Sequence, residues 1–135
     1  MTTYPPIIPV LVYADIPAAH DFLVSAFGFS AGRVDRDRDG NVVHGEVYVS
    51  GCPIWLHRVT AEHELAAARD AAESGGLAVT VDDVDAHHRH AQQAGARIDS
   101  SPTDQPYGRR EYGARDPEGR RWWFGTPLSA GAHGR

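Results

Sequence analysis

Three polar side chains at alternate positions are the first candidates for chemistry. His44, Glu46 and Tyr48 stand two residues apart in a segment that alternates like a strand, and side chains with this spacing share one face of a strand. If that face lines a cavity, His44 and Glu46 could transfer protons or anchor the polar atoms of a ligand. If it meets water, they are ordinary surface residues, and the sequence leaves both interpretations open.

A calcium-loop pattern overlaps the same segment. Residues 35–46 carry Asp35, Asp37, Asp39, Gly40 and Glu46 at the positions of an EF-hand loop. An EF-hand needs a helix on each side of the loop, whereas residues 42–50 alternate like a strand. We therefore interpret the Asp-rich stretch as the tip of a hairpin.

A histidine cluster is a second pattern that resembles a metal site. His87, His88 and His90 fall in a predicted helix, where no pair has the four-residue spacing with which two histidines grip one zinc ion. His88 lies on the apolar stripe of that helix and is expected in the core with its hydrogen bonds satisfied. His87 and His90 are expected to point elsewhere, so the cluster predicts no metal site.

The sequence pattern of the elements that would position these side chains occurs twice along the chain. Residues 9–28 and 77–95 both read as an apolar strand, an Asp, an amphipathic helix and a closing Gly. Asp83 follows Asp15 by 68 residues, and Gly95 follows Gly28 by 67. A repeat of this kind indicates two copies of one supersecondary unit, with a pocket between the two halves.

Each copy continues into three further strands. We predict module one over residues 5–59, a linker over 60–76, module two over 77–127 and a tail over 128–135, all within one domain. The predicted strands are 7–14, 32–36, 42–50 and 54–59 in module one, and 77–81, 97–100, 110–115 and 120–125 in module two. The predicted helices begin at Asp15 and Val84, because Asp15 and Asp83 are suitable helix caps.

Composition narrows the class of partner. The chain has 135 residues, 41% hydrophobic and 23% charged, with a net charge of −5, which is typical of a globular domain. The negative net charge argues against nucleic acid as a partner, because phosphate binding needs clustered Lys and Arg. A neutral or cationic ligand suits the acidic chain better. No apolar run reaches the roughly 18 residues of a membrane span, and the N-terminus lacks a signal-peptide pattern. The single cysteine, Cys52, cannot form an internal disulfide. We expect a cytoplasmic protein with no membrane partner.

Three segments carry a family resemblance. The stretches YADIPAAHDFLVSAFGF, VDDVDAHHRHAQQAGA and YGRREYGARDPEGRRWWFGTP resemble the glyoxalase, bleomycin-resistance and dioxygenase superfamily, also called the vicinal oxygen chelate superfamily. The resemblance implies an α+β fold in which two βαβββ modules pair into a curled mixed sheet around a cleft. It also implies a homodimer. In the enzymes of the superfamily, His, Glu or Gln side chains at four symmetry-related positions hold a divalent metal in that cleft.

The four positions that the resemblance assigns to metal ligands hold the wrong residues here. They fall on Ile8, Trp55, Gly76 and Trp123, and none of these side chains can bind a metal. We therefore expect neither a metal nor another cofactor. Trp123 follows Trp55 by 68 residues, so the two are symmetry mates; facing one cleft, their indoles would stack on a planar or cationic group. Trp122 is expected in the core.

The functional hypothesis is a metal-free small-molecule binding protein, similar to bleomycin-resistance proteins, that sequesters an antibiotic or an aromatic or cationic metabolite. No catalytic residue is assigned. The expected ligand contacts are Trp55 and Trp123 for stacking, joined by Tyr107 or Tyr112, and His44, Glu46, His57 and Arg110 for the remaining contacts. The alternative is an enzyme of the superfamily, a lyase, isomerase or dioxygenase, with a metal site at other positions or with metal-free acid–base chemistry on His44 and Glu46.

Overall fold

A computed structural model describes residues 4–60 and 75–129. The chain divides into two compact units, Met1–Arg69 and Asp70–Arg135, and predicted modules one and two fall in the first and the second unit respectively. Most of the predicted linker, residues 61–74, and most of the predicted tail, residues 130–135, lie outside the described residues.

The first unit has the element order strand, helix, three strands. Its elements are β1 (Val10–Tyr13), α1 (Ile16–Ser25), β2 (Ser30–Arg36), β3 (Val42–Val49) and β4 (Cys52–Arg58). The strands form one mixed sheet in the order β1-β4-β3-β2. Strand β1 runs parallel to β4, and the other two pairs are antiparallel. Because β1 is an edge strand, Pro9 just before it interrupts no backbone hydrogen bonds between strands.

Helix α1 covers one face of this sheet. The helix starts one residue after the predicted position, with Asp15 as its cap, because the Asp15 carboxylate accepts a hydrogen bond from the Ala18 amide at 3.0 Å. Its buried residues include Ile16 and Leu23. Ile16 packs so closely on Gly45 of β3 that a Cβ there would lie 2.8 Å from Ile16 Cγ2. The opposite face of the sheet is therefore the one left for a site.

The second unit repeats this arrangement. Its elements are β5 (Gly76–Thr80), α2 (Val84–Gln93), β6 (Arg97–Gln105), β7 (Arg109–Arg115) and β8 (Arg121–Pro127), and its sheet has the order β5-β8-β7-β6. The predicted α+β class and the two βαβββ modules are confirmed. The pairing of the modules around a cleft stays a prediction. Neither helix is long and apolar enough to cross a membrane within the described part of the chain.

Strand β6 is longer than predicted. It continues to Gln105, past Pro102, where the prediction ended it at Ser100. The register with β7 shifts between Ser100 and Thr103, and β6 is the edge strand of its sheet. An edge strand with a bulge accommodates a proline that a central strand would not.

The core of the second unit corrects the assignment of two histidines. His87 Nδ1 lies 2.6 Å from the Tyr112 hydroxyl, and its ring centroid is 4.3 Å from that of Phe124. The prediction that His87 points away from the core is wrong, because the buried stripe of α2 includes this position. His88 packs edge-on against Tyr112 at 5.0 Å as expected, but its Nε2 has no hydrogen-bond partner among the described residues.

Candidate functional site

The candidate site lies on the face of the first sheet that α1 leaves uncovered. On β3, His44, Glu46 and Tyr48 pair directly with His57, Trp55 and Pro53 of β4. Directly opposed residues of an antiparallel pair share a face, so these six side chains lie on one side of the sheet. Gly45, which contacts α1, lies on the other side.

A cavity of about 570 Å³ opens on this face. Residues of the N-terminal segment, of three strands and of the β3–β4 turn line it: Tyr4, Pro5, Arg33, His44, Glu46, Tyr48, Gly51, Pro53 and Trp55. The structure thus places three of the predicted site residues, His44, Glu46 and Trp55, in one cavity of the first unit.

Aromatic rings form one side of the cavity. The Trp55 indole meets the Tyr4 ring at 6.1 Å with an interplanar angle of 88°. His44 approaches the same indole at 5.8 Å and 69°. These edge-to-face contacts hold the orientation of the indole, while the backbone of Trp55 is tied down by a hydrogen bond of 3.0 Å from its amide to the Pro9 carbonyl. The half-buried indole is a suitable stacking surface for a flat molecule.

The polar side of the cavity centres on Glu46. This residue is only 9% exposed. Its Oε2 accepts a hydrogen bond from His44 Nε2 at 2.8 Å, its Oε1 accepts one from the Tyr48 hydroxyl at 2.7 Å, and Arg33 Nε lies 3.4 Å from Oε2. Burial alone raises the pKa of Glu46, but the hydrogen bonds and the Arg33 charge outweigh it and hold that pKa below its ordinary value. Glu46 is therefore an anion, and its bond to Tyr48 raises the pKa of that phenol.

The lowered pKa of Glu46 predicts an acid-dependent loss of stability. A carboxyl whose pKa is lower in the folded state stabilises the fold above its unfolded value, and this contribution is lost as pH falls through the folded value. The loss should therefore develop below pH 4.5, the ordinary value. In Glu46→Gln the free energy of unfolding should depend less on pH in this range, by up to about 1.4 kcal/mol per pH unit. Urea titrations between pH 3 and 6 measure it, and equal slopes in both proteins would contradict it.

A β-bulge brings Arg33 to Glu46. The register of β2 on β3 shifts between Ala31 and Val34, and the backbone of Gly32 comes so near that a Cβ there would lie 2.5 Å from the Glu46 carbonyl oxygen. His20 of α1 secures the bulge, with Nε2 3.1 Å from the Gly32 carbonyl oxygen. Bulges re-aim side chains, which is how Arg33 reaches the cavity. Simple alternation along β2 does not reveal it.

Gly32 gives a prediction for the bulge. We expect Gly32→Ala to destabilise the protein by about 1–3 kcal/mol, the usual cost of overpacking, because the added methyl group meets backbone at 2.5 Å. Thermal unfolding followed by circular dichroism would measure it. Gly113→Ala is the comparison variant and should cost less, because its methyl group would meet only the Ser100 hydroxyl, at 3.2 Å, and moving that side chain would weaken one hydrogen bond, from the Gly113 amide. Equal losses in both variants would contradict the role given to Gly32.

The corresponding face of the second unit carries a different set of side chains. Trp123 lies there opposite Gly113, and it is not among the residues that line the described cavity. Nearby on β7, the Glu111 carboxylate accepts hydrogen bonds from Arg109 Nε at 2.7 Å and from the Tyr107 hydroxyl. Tyr107 is 67% exposed, and this bond raises the pKa of its hydroxyl. These contacts hold the β6–β7 hairpin together.

Two predicted ligand contacts lie on the helix side of the second sheet instead. Tyr112 is 1% exposed and packs under α2, where burial raises the pKa of its hydroxyl. Arg110 is engaged by Asp85 of α2 at 3.1 Å and by Asp104 at 3.0 Å. Residues 110 and 112 alternate with 109, 111 and 113, so they face away from Trp123. The expectation that Tyr112 stacks on a ligand and Arg110 anchors it stays a prediction, for a face of the sheet other than that of Trp123.

His57 and the calcium-loop pattern complete the predicted sites. His57 shares the face of Trp55, as expected, but it is not among the cavity-lining residues, and its Nδ1 lies 2.8 Å from the Arg58 carbonyl oxygen. The Asp-rich stretch is the β2–β3 hairpin turn, where Asp37 Oδ1 accepts hydrogen bonds from the amides of Asp39 and Asn41 at 2.9 and 3.0 Å. Strands rather than helices flank it, as the hairpin interpretation predicts.

The comparison with known families decides what kind of protein carries this cavity. The profile of the glyoxalase/bleomycin resistance protein/dioxygenase superfamily matches residues 8–124. The chain belongs to this superfamily. It is also 33% identical to the uncharacterized protein Mb0911c of Mycobacterium bovis over 129 residues, which cover 92% of this chain and 84% of that protein.

Solved structures of the superfamily have the same fold. The crystal structure of TioX from Micromonospora sp. ML1 is similar with a TM-score of 0.74 and 29% identity, over 94% of this chain and 100% of that one. A glyoxalase-related enzyme from Clostridium phytofermentans is similar with a TM-score of 0.72 and 20% identity, over 94% and 98% of the two chains. The second likeness shows the fold alone.

The metal site of the glyoxalase superfamily does not fit the residues of this chain. Trp55 and Trp123 lie on β4 and β8 where the resemblance assigns metal ligands, and an indole offers a metal no lone pair. In residues 4–60 and 75–129 no group of three or more His, Cys, Asp or Glu side chains is placed to hold a metal ion. His44 and Glu46 form only a pair, which is too few side chains to hold a metal ion.

Sequence reasoning missed part of the cavity lining. Tyr4 and Pro5 lie outside both copies of the repeat, and no local pattern connects them with Trp55. Arg33 was not predicted, because the bulge in β2 breaks the alternation of side chains between the two faces of the sheet. Alternation placed Tyr48 on the same face as Glu46, but Tyr48 was not among the expected ligand contacts. In the second unit, an offset of 67 residues from His44 leads to Glu111.

Proposed function

We propose that the chain binds a planar aromatic molecule with a neutral or cationic polar group in the cavity of its first unit. The superfamily takes part of its name from bleomycin resistance, and sequestration of an antibiotic or an aromatic metabolite is the role that we propose. The proposal rests above all on one observation: the buried anion of Glu46 lies directly opposite the Trp55 indole on the neighbouring strand.

The charges around Glu46 favour this ligand class. Arg33 is shared between Glu46, at 3.4 Å, and Asp35, at 3.1 Å. The single positive charge of Arg33 therefore balances only one of the two carboxylates, and the three side chains together keep a net negative charge. An indole face attracts cations as well. A ligand whose flat ring stacks on Trp55 can place a cationic or hydrogen-bond-donating group near Glu46, whereas an anionic group would be repelled.

A charge series on one ring system tests the proposal. Three naphthalene derivatives that carry a trimethylammonium, a hydroxymethyl or a carboxylate group share the ring and differ in charge. We expect the cation to raise the melting temperature most and the carboxylate least; a ligand at 100 times its Kd stabilises by about 2.7 kcal/mol. Differential scanning fluorimetry measures the shifts. A carboxylate that binds as well as the cation, or no shift with any compound, would contradict the proposal.

The proposal includes the partners of the chain. We propose that the chain works as a homodimer in the cytoplasm, with a small molecule rather than nucleic acid or a membrane as its ligand.

Acid–base catalysis is the second candidate function. One observation favours it: His44 and Glu46 are joined by a hydrogen bond of 2.8 Å inside the cavity.

A further inference from the structure

We propose that His44 is a general base that removes a proton from a carbon of an aromatic molecule held against Trp55, with Glu46 as its positioning residue. This inference rests on the proposed binding of such a molecule in the cavity, and it adds a chemical step to binding. It assigns different roles to two side chains that the sequence could only place side by side.

The hydrogen bond between the two residues fixes the proton on the imidazole. Glu46 is an anion and can only accept, so His44 Nε2 donates to its Oε2 at 2.8 Å. In a neutral imidazole the other nitrogen then carries a lone pair. Among residues 4–60 and 75–129, no group is hydrogen-bonded to His44 Nδ1. The arrangement matches the carboxylate–histidine pairs of hydrolases, where the carboxylate sets the tautomer and the free nitrogen takes the proton.

Glu46 itself is unsuited to be the base. Tyr48 donates to its Oε1 at 2.7 Å, and Arg33 lies 3.4 Å from its Oε2. These contacts stabilise the carboxylate as an anion and lower its affinity for a proton. They also hold the carboxylate in place, so that it can steady the imidazolium formed when His44 accepts a proton.

The position of His44 suits an aromatic substrate. Its side chain is 23% exposed, and its ring lies 5.8 Å from the Trp55 indole. A flat molecule stacked on the indole would therefore bring its edge, where the C–H bonds are, towards the imidazole. Two other titratable side chains lie beside His44: Asp35 on β2 and His57 on β4, which pair with it across the sheet. The charged Arg33 side chain lies nearby, next to Glu46.

A probe reaction that needs only a base tests the inference. In the ring opening of 5-nitrobenzisoxazole, the base takes the proton from the ring carbon next to nitrogen. The electron pair of that C–H bond completes a nitrile, the N–O bond breaks, and its electron pair remains on oxygen as a phenolate. No oxidant, reductant or second substrate takes part, and the coloured product reports the rate.

Substitutions separate the roles of the two residues. We expect His44→Ala to lower kcat by about 100-fold or more, the usual contribution of a general base. His90→Ala removes an exposed imidazole of α2 and should leave the rate unchanged. Glu46→Gln should lower kcat far more than it changes KM, and Glu46→Asp should restore part of the loss.

A measurement without the probe keeps the inference falsifiable. Nitrogen-15 NMR of the wild-type protein should show His44 with its proton on Nε2, and Glu46→Gln should shift this tautomer. Equal probe rates in wild type and His44→Ala, or a proton on Nδ1 of His44 in the wild type, would overturn the inference. If the naphthalene cation still binds through Trp55 in that case, only the general base fails; if it does not bind, the proposed function fails as well.

Discussion

Replacing Trp122 by alanine should lower the free energy of unfolding by about 3–5 kcal/mol, the range for a large aromatic residue removed from a core. The Trp122 side chain is fully buried and stacks on Phe124 with a centroid distance of 6.3 Å and an interplanar angle of 8°. Its Nε1 also donates to Asp116 Oδ2 at 3.1 Å. Because Asp116 is only 4% exposed, the variant would remove one hydrogen-bond donor from a buried carboxylate.

The neighbouring tryptophan supplies the control for this prediction. Trp123 is half-buried on the opposite face of β8, so Trp123→Ala removes the same side chain without opening the core and should cost much less. Urea unfolding followed by far-ultraviolet circular dichroism would compare the two variants. A loss in Trp123→Ala as large as that in Trp122→Ala would show that the packing assigned to the two faces is wrong.

Replacing Trp55 by alanine should weaken binding of the naphthalene cation by about 30-fold or more. Tryptophans at the centre of binding sites typically contribute about 2 kcal/mol or more, which corresponds to this factor. In the proposed complex the indole supplies both the stacking surface and the cation attraction, and Glu46 lies opposite it on the neighbouring strand. Isothermal titration calorimetry gives the Kd without relying on the fluorescence of the residue that is removed.

Two further variants show which rings contribute to the binding measured in this experiment. Trp55→Phe keeps a ring at the position and should retain part of the affinity. Trp123→Ala tests the cleft that the superfamily resemblance implies: if both modules line one site, affinity falls, and if the cavity of the first unit acts alone, affinity is kept. An unchanged Kd in Trp55→Ala would place the ligand outside the described cavity.

Local signals explain why the fold was largely predictable. Asp15 and Asp83 cap helices that begin at the next residue in both units, since a carboxylate that accepts an amide hydrogen bond fixes a helix start within one position. Strand ends were less certain. The prediction ended β6 at Ser100, whereas the edge position of the strand lets it continue past Pro102 to Gln105.

The site was less predictable, because its parts come together only in the folded chain. Alternation grouped His44 with Glu46, but it could not show whether their face meets a cavity or water. It also did not indicate which face of β7 carries Tyr112, since a strand shifted by one residue exchanges its two faces. Tyr4 reaches Trp55 through a contact across some fifty positions of sequence, which no local pattern contains.

The difference between the two repeats bears on stoichiometry. Glu46 pairs with Trp55 on β3 and β4, and the residue that pairs with Trp123 in the same way is Gly113. The second repeat thus keeps the indole without the anion beside it, and its own carboxylate, Glu111, is bound by Arg109 and Tyr107. Duplication doubled the scaffold, while the combination of ring and charge occurs in one copy. If the chain binds a cationic ligand as proposed, we expect it to saturate with one equivalent.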